Sequence, residues 1–181
     1  MPRPYFESKD KKIQEILRVN HAGEYGAQRI YQGQIAHTRN IKTKSLIRHM
    51  LDQELEHLEY FDNKIKDGLA RPTFLMPIWN LCGYSLGTLS AMMGGKATML
   101  VTENVEEVIV KHYQDQIDYL ESRGAKEDNL LLQKIKKFKQ DEANHIHIAV
   151  DNESKNVYLH NLLSKMVQNM CKVAIFLSKK I

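Results

Sequence analysis

The chain has 181 residues, 43% of them hydrophobic and 27% charged, with a formal net charge of +4. Those proportions suit one globular domain over residues 1–181 with length for a real core, and they exclude a disordered chain. The charge is modest and no nucleic-acid module is visible, so nucleic acid is not expected as a partner.

The opening, Met1–Ser8, lacks the apolar core of a signal peptide. It is also too short and too acidic for a long Arg/Ser transit peptide, so an organellar protein would here be in its mature form. Apolar spacing through Ile13, Ile16, Leu17, Ala27, Ile30, Tyr31 and Ile35 predicts a first helix over about 11–38. A second, through Leu46, Met50, Leu51, Leu55, Leu58, Phe61 and Ile65, closes near Gly68. Phe74–Gly95 follows, rich in Leu and Met, with Trp79 and Tyr84. It is nearly long enough to span a bilayer, but Pro77, Asn80, Ser85, Ser90 and its glycines break the pattern of a transmembrane helix. It reads either as a buried crossover helix or as a membrane-contacting one. Val101, Val105, Val108, Ile109, His112, Gln116 and Tyr119 predict a long helix ending near Gly124. Leu131, Leu132, Ile135, Phe138, Glu142, Ile146 and Ala149 predict its partner. The tail, Val157–Ile181, has apolar residues at helical spacing and ends in Lys179-Lys180. It is either a sixth helix packed on the bundle or a helix that docks on a membrane. All prolines lie at or before Pro77, which favours long helices beyond it. The lysine runs Lys9–Lys12, Lys134–Lys139 and Lys179–Lys180 read as solvated faces that could also meet anionic headgroups.

Two Glu-x-x-His motifs, Glu54–His57 and Glu142–His145, carry the chemistry. Random placement of 13 glutamates and 8 histidines gives roughly 0.6 such pairs, so the motif alone is weak. An internal repeat strengthens it. Glu24-x6-Tyr31-Gln-x-Gln and Glu106-x6-Tyr113-Gln-x-Gln share one pattern, and each leads one helix later to a Glu-x-x-His. The two copies span about 11–68 and 96–153. Residues three or seven apart lie on one helix face, so each Glu/His pair can grip one ion. Four helices presenting Glu, Glu-x-x-His, Glu and Glu-x-x-His inward make a carboxylate-bridged di-iron or di-manganese site. The expected ligands are Glu24, Glu54, His57, Glu106, Glu142 and His145, acting together as the catalytic metal centre. Four carboxylates balance two ferrous ions while both imidazoles stay neutral, so no uncompensated charge is buried. Glu54 and Glu142 are expected to bridge the ions, with Glu24 and Glu106 terminal. Asp141 is a candidate hydrogen-bond partner for a ligand histidine, and Gln53 holds the matching place in the first copy. Tyr31 and Tyr113 are either near the metals or simply core. His21, His37, His49, His112, His147 and His160 have no Glu three positions earlier and read as surface or packing histidines. Cys82 and Cys171 stand alone, so neither a Cys-x-x-Cys site nor a disulfide scaffold is expected, and a reducing compartment is.

Arg18-Val-Asn-His-Ala-Gly-Glu-Tyr-Gly-Ala27 resembles the opening of the demethoxyubiquinone hydroxylases. So do Asp52-Gln-Glu-Leu-Glu-His57, Arg71-Pro-Thr-Phe-Leu-Met-Pro-Ile-Trp79, Val105-Glu-Glu107, His112-Tyr113, Asp141-Glu142 and Cys171–Ser178. The resemblance covers nearly the whole chain and departs at none of the six ligand positions. It implies an all-α, ferritin-like four-helix bundle with a di-iron site plus two additional apolar helices. It further implies a monooxygenase that hydroxylates the ring of demethoxyubiquinone (2-polyprenyl-3-methyl-6-methoxy-1,4-benzoquinone or its quinol), the penultimate step of ubiquinone biosynthesis. Two iron ions, molecular oxygen and an external reductant, with NADH a candidate, are the implied cofactors. The implied partners are the polyprenyl benzoquinone, a membrane surface and other ubiquinone-biosynthesis proteins. The implied location is peripheral, on the cytoplasmic face of a bacterial inner membrane or the matrix face of a mitochondrial one. The alternatives are a ferritin-like ferroxidase or peroxide scavenger without quinone substrate, and a non-catalytic helical scaffold.

Overall fold

The structure, a computed structural model, describes residues 10–125 and 129–181. The Met1–Ser8 segment and Lys9 lie outside those residues. Among the described residues the chain is all-α, with six α-helices, one 3-10 turn and no strand. It divides into two compact units: the chain up to Met92 together with Lys172–Ile181, and Met93–Cys171.

The first unit opens with α1 (Lys11–His37) and α2 (Ile41–Lys66). The Asp10 carboxylate starts α1 by accepting from the Lys12 amide at 2.8 Å, and the Asn40 side chain starts α2 by accepting from Thr43 N–H at 2.9 Å. Each cap satisfies an amide that the first helical turn leaves without a partner. Ile16, Leu17, Ile30 and Tyr31 of α1 and Ile47, Met50 and Phe61 of α2 are buried, as their spacing predicts. α2 stops where expected. Gly68 takes a left-handed φ of 77°, and the Leu69 amide reaches back to the Lys64 carbonyl at 3.1 Å.

The crossover forms α3 (Met76–Met92), which packs on α1. The contact is backbone to backbone. A Cβ at Gly87 would lie 2.0 Å from the Ile30 carbonyl oxygen, and one at Gly33 would lie 2.3 Å from that of Tyr84. Only glycine permits so close an approach. α3 therefore buries Gly83, Gly87, Ser90 and Ala91 and leaves Leu81, Leu89 and Met92 exposed.

The second unit holds α4 (Gly95–Ser122), α5 (Leu130–Asp151) and a 3-10 turn at Ser154–Asn156. Its first helix ends as α2 does, with Gly124 at φ 83° and the Ala125 amide on the Leu120 carbonyl at 3.0 Å. The two stops sit at different places in their hairpins, after the second helix in the first unit and after the first helix in the second. From Ala97 to Glu106 every residue of α4 is buried, Thr98, Thr102, Glu103, Asn104 and Glu106 included. A helix enclosed all round must find partners for such polar groups. The lysine run Lys134–Lys139 is not a free basic face. Lys136 pairs with Glu121 at 2.9 Å and Lys139 donates to Gln114, both on α4.

α6 (His160–Lys180) begins in the second unit, and its last turns belong to the first. Ser164, Val167 and Ser178 are buried along it, while Leu162, Met166, Met170, Val173 and Phe176 are about half exposed. In the first unit its end is held by Arg18, which donates to the Ser178 and Lys179 carbonyls at 3.1 and 3.0 Å, and by Trp79, whose indole N–H donates to Ser178 Oγ at 3.0 Å. Cations and donors at a helix C-terminus satisfy its unpaired carbonyls and oppose its dipole. No helix among the described residues is long and apolar enough to cross a membrane.

Candidate metal centre

Each unit contributes one carboxylate–carboxylate–imidazole triad. In the first, Glu24 comes from the middle of α1, and Glu54 and His57 from one face of α2. One ligand atom from each lies within 4.8 Å of the others. Glu24 Oε2 stands 3.5 Å from His57 Nδ1, a contact made between helices. In the second, Glu106 comes from α4, and Glu142 and His145 from α5, again with one ligand atom each within 4.8 Å of the others. Here the imidazole meets its own helix, with His145 Nδ1 2.9 Å from Glu142 Oε2. All six side chains are buried, none more than 3% exposed.

Such triads fit divalent metal. Two carboxylates held this close and away from water repel one another, and only protonation or a cation relieves that. Carboxylate oxygen with imidazole nitrogen is the donor set of iron and manganese sites. Burial pushes the Cys171 thiol up to about 12, with the Glu106 carboxylate adding to the shift.

All six predicted residues are thus placed in such triads, three in each unit. Tyr31 and Tyr113, left open by sequence, are both fully buried. The Tyr31 hydroxyl faces Met50 Sδ at 3.9 Å, one turn before Glu54 on α2. Asp141 is partly buried and lies 3.9 Å from Lys137 on its own helix. Of the histidines read as surface or packing, His37, His49 and His147 are exposed. His21 is not a surface histidine. It is buried one turn before Glu24, with Nε2 3.4 Å from Asp62 Oδ1. Its spacing of three before a ligand glutamate was legible, but its partner lies on another helix.

All-α hairpins that each enclose two glutamates and a histidine fit the carboxylate–histidine metal sites of the ferritin-like class. The family described as "ubiquinone biosynthesis protein COQ7" matches residues 11–178, and the chain belongs to it. It is 46% identical over 169 residues to the "NADPH-dependent 3-demethoxyubiquinone 3-hydroxylase, mitochondrial" of Dictyostelium discoideum, covering 93% of this chain and 77% of that protein. The protein of the same name from Homo sapiens is 40% identical over 169 residues, 93% of this chain and 78% of that one. The "3-demethoxyubiquinol 3-hydroxylase" of Rhodospirillum rubrum is 40% identical over 171 residues, with the same coverage.

Proposed function

We propose that this chain is an oxygen-dependent monooxygenase that hydroxylates the ring of demethoxyubiquinone in ubiquinone biosynthesis. The observation that carries this reading is the pair of buried Glu/Glu/His triads in a member of the COQ7 family. The relatives' names supply the substrate, and the NADPH in two of them makes a nicotinamide the leading candidate for the external reductant.

In this reading the two units act as one catalytic domain. Glu24, Glu54, His57, Glu106, Glu142 and His145 would together hold two irons, with Glu54 and Glu142 expected to serve both. Bound iron supplies the two-electron activation of dioxygen. The chain's own residues do the rest. Four carboxylates balance the charge of two divalent ions, neutral imidazoles complete the ligand set, and burial excludes bulk water from the reacting ring.

The same reading gives the exposed apolar faces of α3 and α6 a use. Both helices bury small or polar residues and turn leucine, methionine and phenylalanine outward. A water-soluble substrate gives no reason for such surface, whereas a polyprenyl quinone resides in lipid. Lys179 and Lys180 would meet headgroups. The protein would sit peripherally on an inner membrane, bacterial or mitochondrial. This surface also weighs against a soluble ferroxidase or peroxide scavenger.

Anaerobic loading tests the centre: two ferrous ions should bind per chain. Glu54→Ala and Glu142→Ala should lose more iron than Glu24→Ala, because a bridging carboxylate serves both ions. Equal losses would contradict the assigned roles, and a chain that stays iron-free would end the di-iron reading. With labelled dioxygen and a short-chain demethoxyubiquinone, one labelled atom should enter the ring, and Glu106→Ala should abolish that turnover. Label from water, or oxygen uptake with the quinone untouched, would rule the reaction out. Wild-type protein should co-sediment with anionic vesicles, and Met92→Glu or Met166→Glu should weaken that without lowering iron content.

A further inference from the structure

Hydroxylation with dioxygen and two electrons also takes up two protons, because the second oxygen atom leaves as water. The predicted ligands are buried, so those protons need a side-chain route from solvent. The first unit contains one. His21 lies one helical turn before Glu24 on α1 and is 7% exposed. Its Nε2 stands 3.4 Å from Asp62 Oδ1 on α2, and its Nδ1 is enclosed with no hydrogen-bond partner. Asp62 is 38% exposed and pairs with Lys66 at 2.5 Å, one turn further along α2 at the surface. The chain of groups therefore runs from water to a buried, unpartnered ring nitrogen beside a predicted ligand.

We propose that His21 and Asp62 form the proton relay between solvent and the buried centre at Glu24. This rests on the hydroxylase reading above. A proton taken from water by the Asp62 carboxylate passes to Nε2. The imidazolium so formed releases its Nδ1 proton inward, to end on the oxygen atom that leaves as water, and the neutral ring resets by flipping. One proton enters, one leaves, and no electron moves.

The surroundings suit a group that must gain and lose a proton near neutrality. Burial holds the His21 pKa below its ordinary value, and Asp62 opposes that shift directly. The other charges that act on the ring are Glu24 on its own helix and Lys66 on α2. Asp62 itself is held below the usual carboxylate range, chiefly by its hydrogen bond from Lys66, so it is ionised at rest and holds a proton only in passing. The second unit offers a rival. Glu103 lies one turn before Glu106, is also buried, and is paired with half-exposed Lys155. That pairing raises the lysine pKa, so the ammonium holds its proton rather than passing it on.

Two measurements on the full-length chain test the relay. In iron-loaded protein, His21→Gln and Asp62→Asn should each slow hydroxylation about a hundredfold. Iron content should be unchanged, the solvent deuterium isotope effect should rise, and added imidazole should partly restore His21→Gln. In iron-free protein, nitrogen NMR of the His21 ring should give a pKa below that of a free histidine, and Asp62→Asn should lower it further. Wild-type turnover in His21→Gln would overturn the proposal. So would iron loss in proportion to turnover, or His21 nitrogen shifts that ignore Asp62→Asn. Should the wild type make no hydroxylated quinone at all, the NMR arm still decides whether His21 and Asp62 are coupled.

Discussion

The two units begin from the same repeat and finish it differently. In the first, α3 is pressed on α1 through glycine, and the position three before the predicted ligand Glu24 is His21, paired with Asp62. In the second, the corresponding position is Glu103, paired with Lys155 just past α5. Asn104, Ser164, Gln168 and Glu107 extend the polar contacts there, with Gln168 donating to Asn104 Oδ1 and Glu107 Oε2 at 2.9 Å each. The triads are alike and their supports are not. One hairpin is braced by close backbone packing beside a neutral, titratable ring, the other by a buried carboxylate with its half-exposed lysine and by amides. The same three side-chain types are thus set in place by different neighbours in the two units.

The largest effect should come from the packing brace. Gly87→Val places a branched side chain where a single Cβ would already lie 2.0 Å from the Ile30 carbonyl. A backbone atom cannot turn aside as a side chain can, so about 3 kcal/mol should be lost, the upper end of overpacking penalties. Urea unfolding should register it. Gly26→Ala is a milder control, since a Cβ there meets nothing within 4 Å and the backbone is helical. If Gly87→Val matches the control, α3 does not depend on its close approach to α1.

The ionic brace should matter less. Lys155→Ala leaves Glu103 buried at 1% exposure without its cation. The cost should be about 1 kcal/mol, moderated by solvent around the half-exposed ammonium. Lys155→Arg should restore most of it, and Glu103→Gln combined with Lys155→Ala should cost less than Lys155→Ala alone. A double variant no better than the single one would show that charge is not what Lys155 supplies.

Most helix boundaries and all six triad residues could be read in the sequence, because both rest on period and spacing. Gly68 and Gly124 announced the ends of two helices through the one conformation they favour. The facing of α3 and α6 could not be read. Periodicity says that a helix has two faces, and the usual inference buries the larger apolar one. Here Gly83, Gly87 and Ser90 of α3, and Ser164 and Ser178 of α6, turn inward, because close approach and a hydrogen bond decide the matter. The lysine run Lys134–Lys139 was legible as charge but not as pairs, since Glu121 and Gln114 lie on another helix. His21 was obscured in the same way: Asp62 stands 41 residues further along the chain.

The smallest expected effect concerns pH, where the two supports should fail at opposite ends. Burial lowers the His21 pKa in the folded chain, so between that value and about 6.5 the unfolded chain binds the extra proton. Stability then rises with pH through this window, is complete above about 6.5, and falls on acidification. Lys155 behaves the other way. Its hydrogen bond to Glu103 raises its folded pKa, so its contribution is complete below about 10.5 and fades as pH climbs through the raised value. Urea unfolding of metal-free wild type and His21→Gln between pH 7 and pH 5 isolates the term of the ring and the carboxylates coupled to it, because carboxylates away from the ring cancel in the difference. The wild type should lose stability more steeply than His21→Gln in that range, and Lys155→Met should flatten the profile only above pH 10. Parallel acid profiles would mean that the fold does not favour neutral His21, and the distinction between a titratable first support and a fixed ionic second one would be lost.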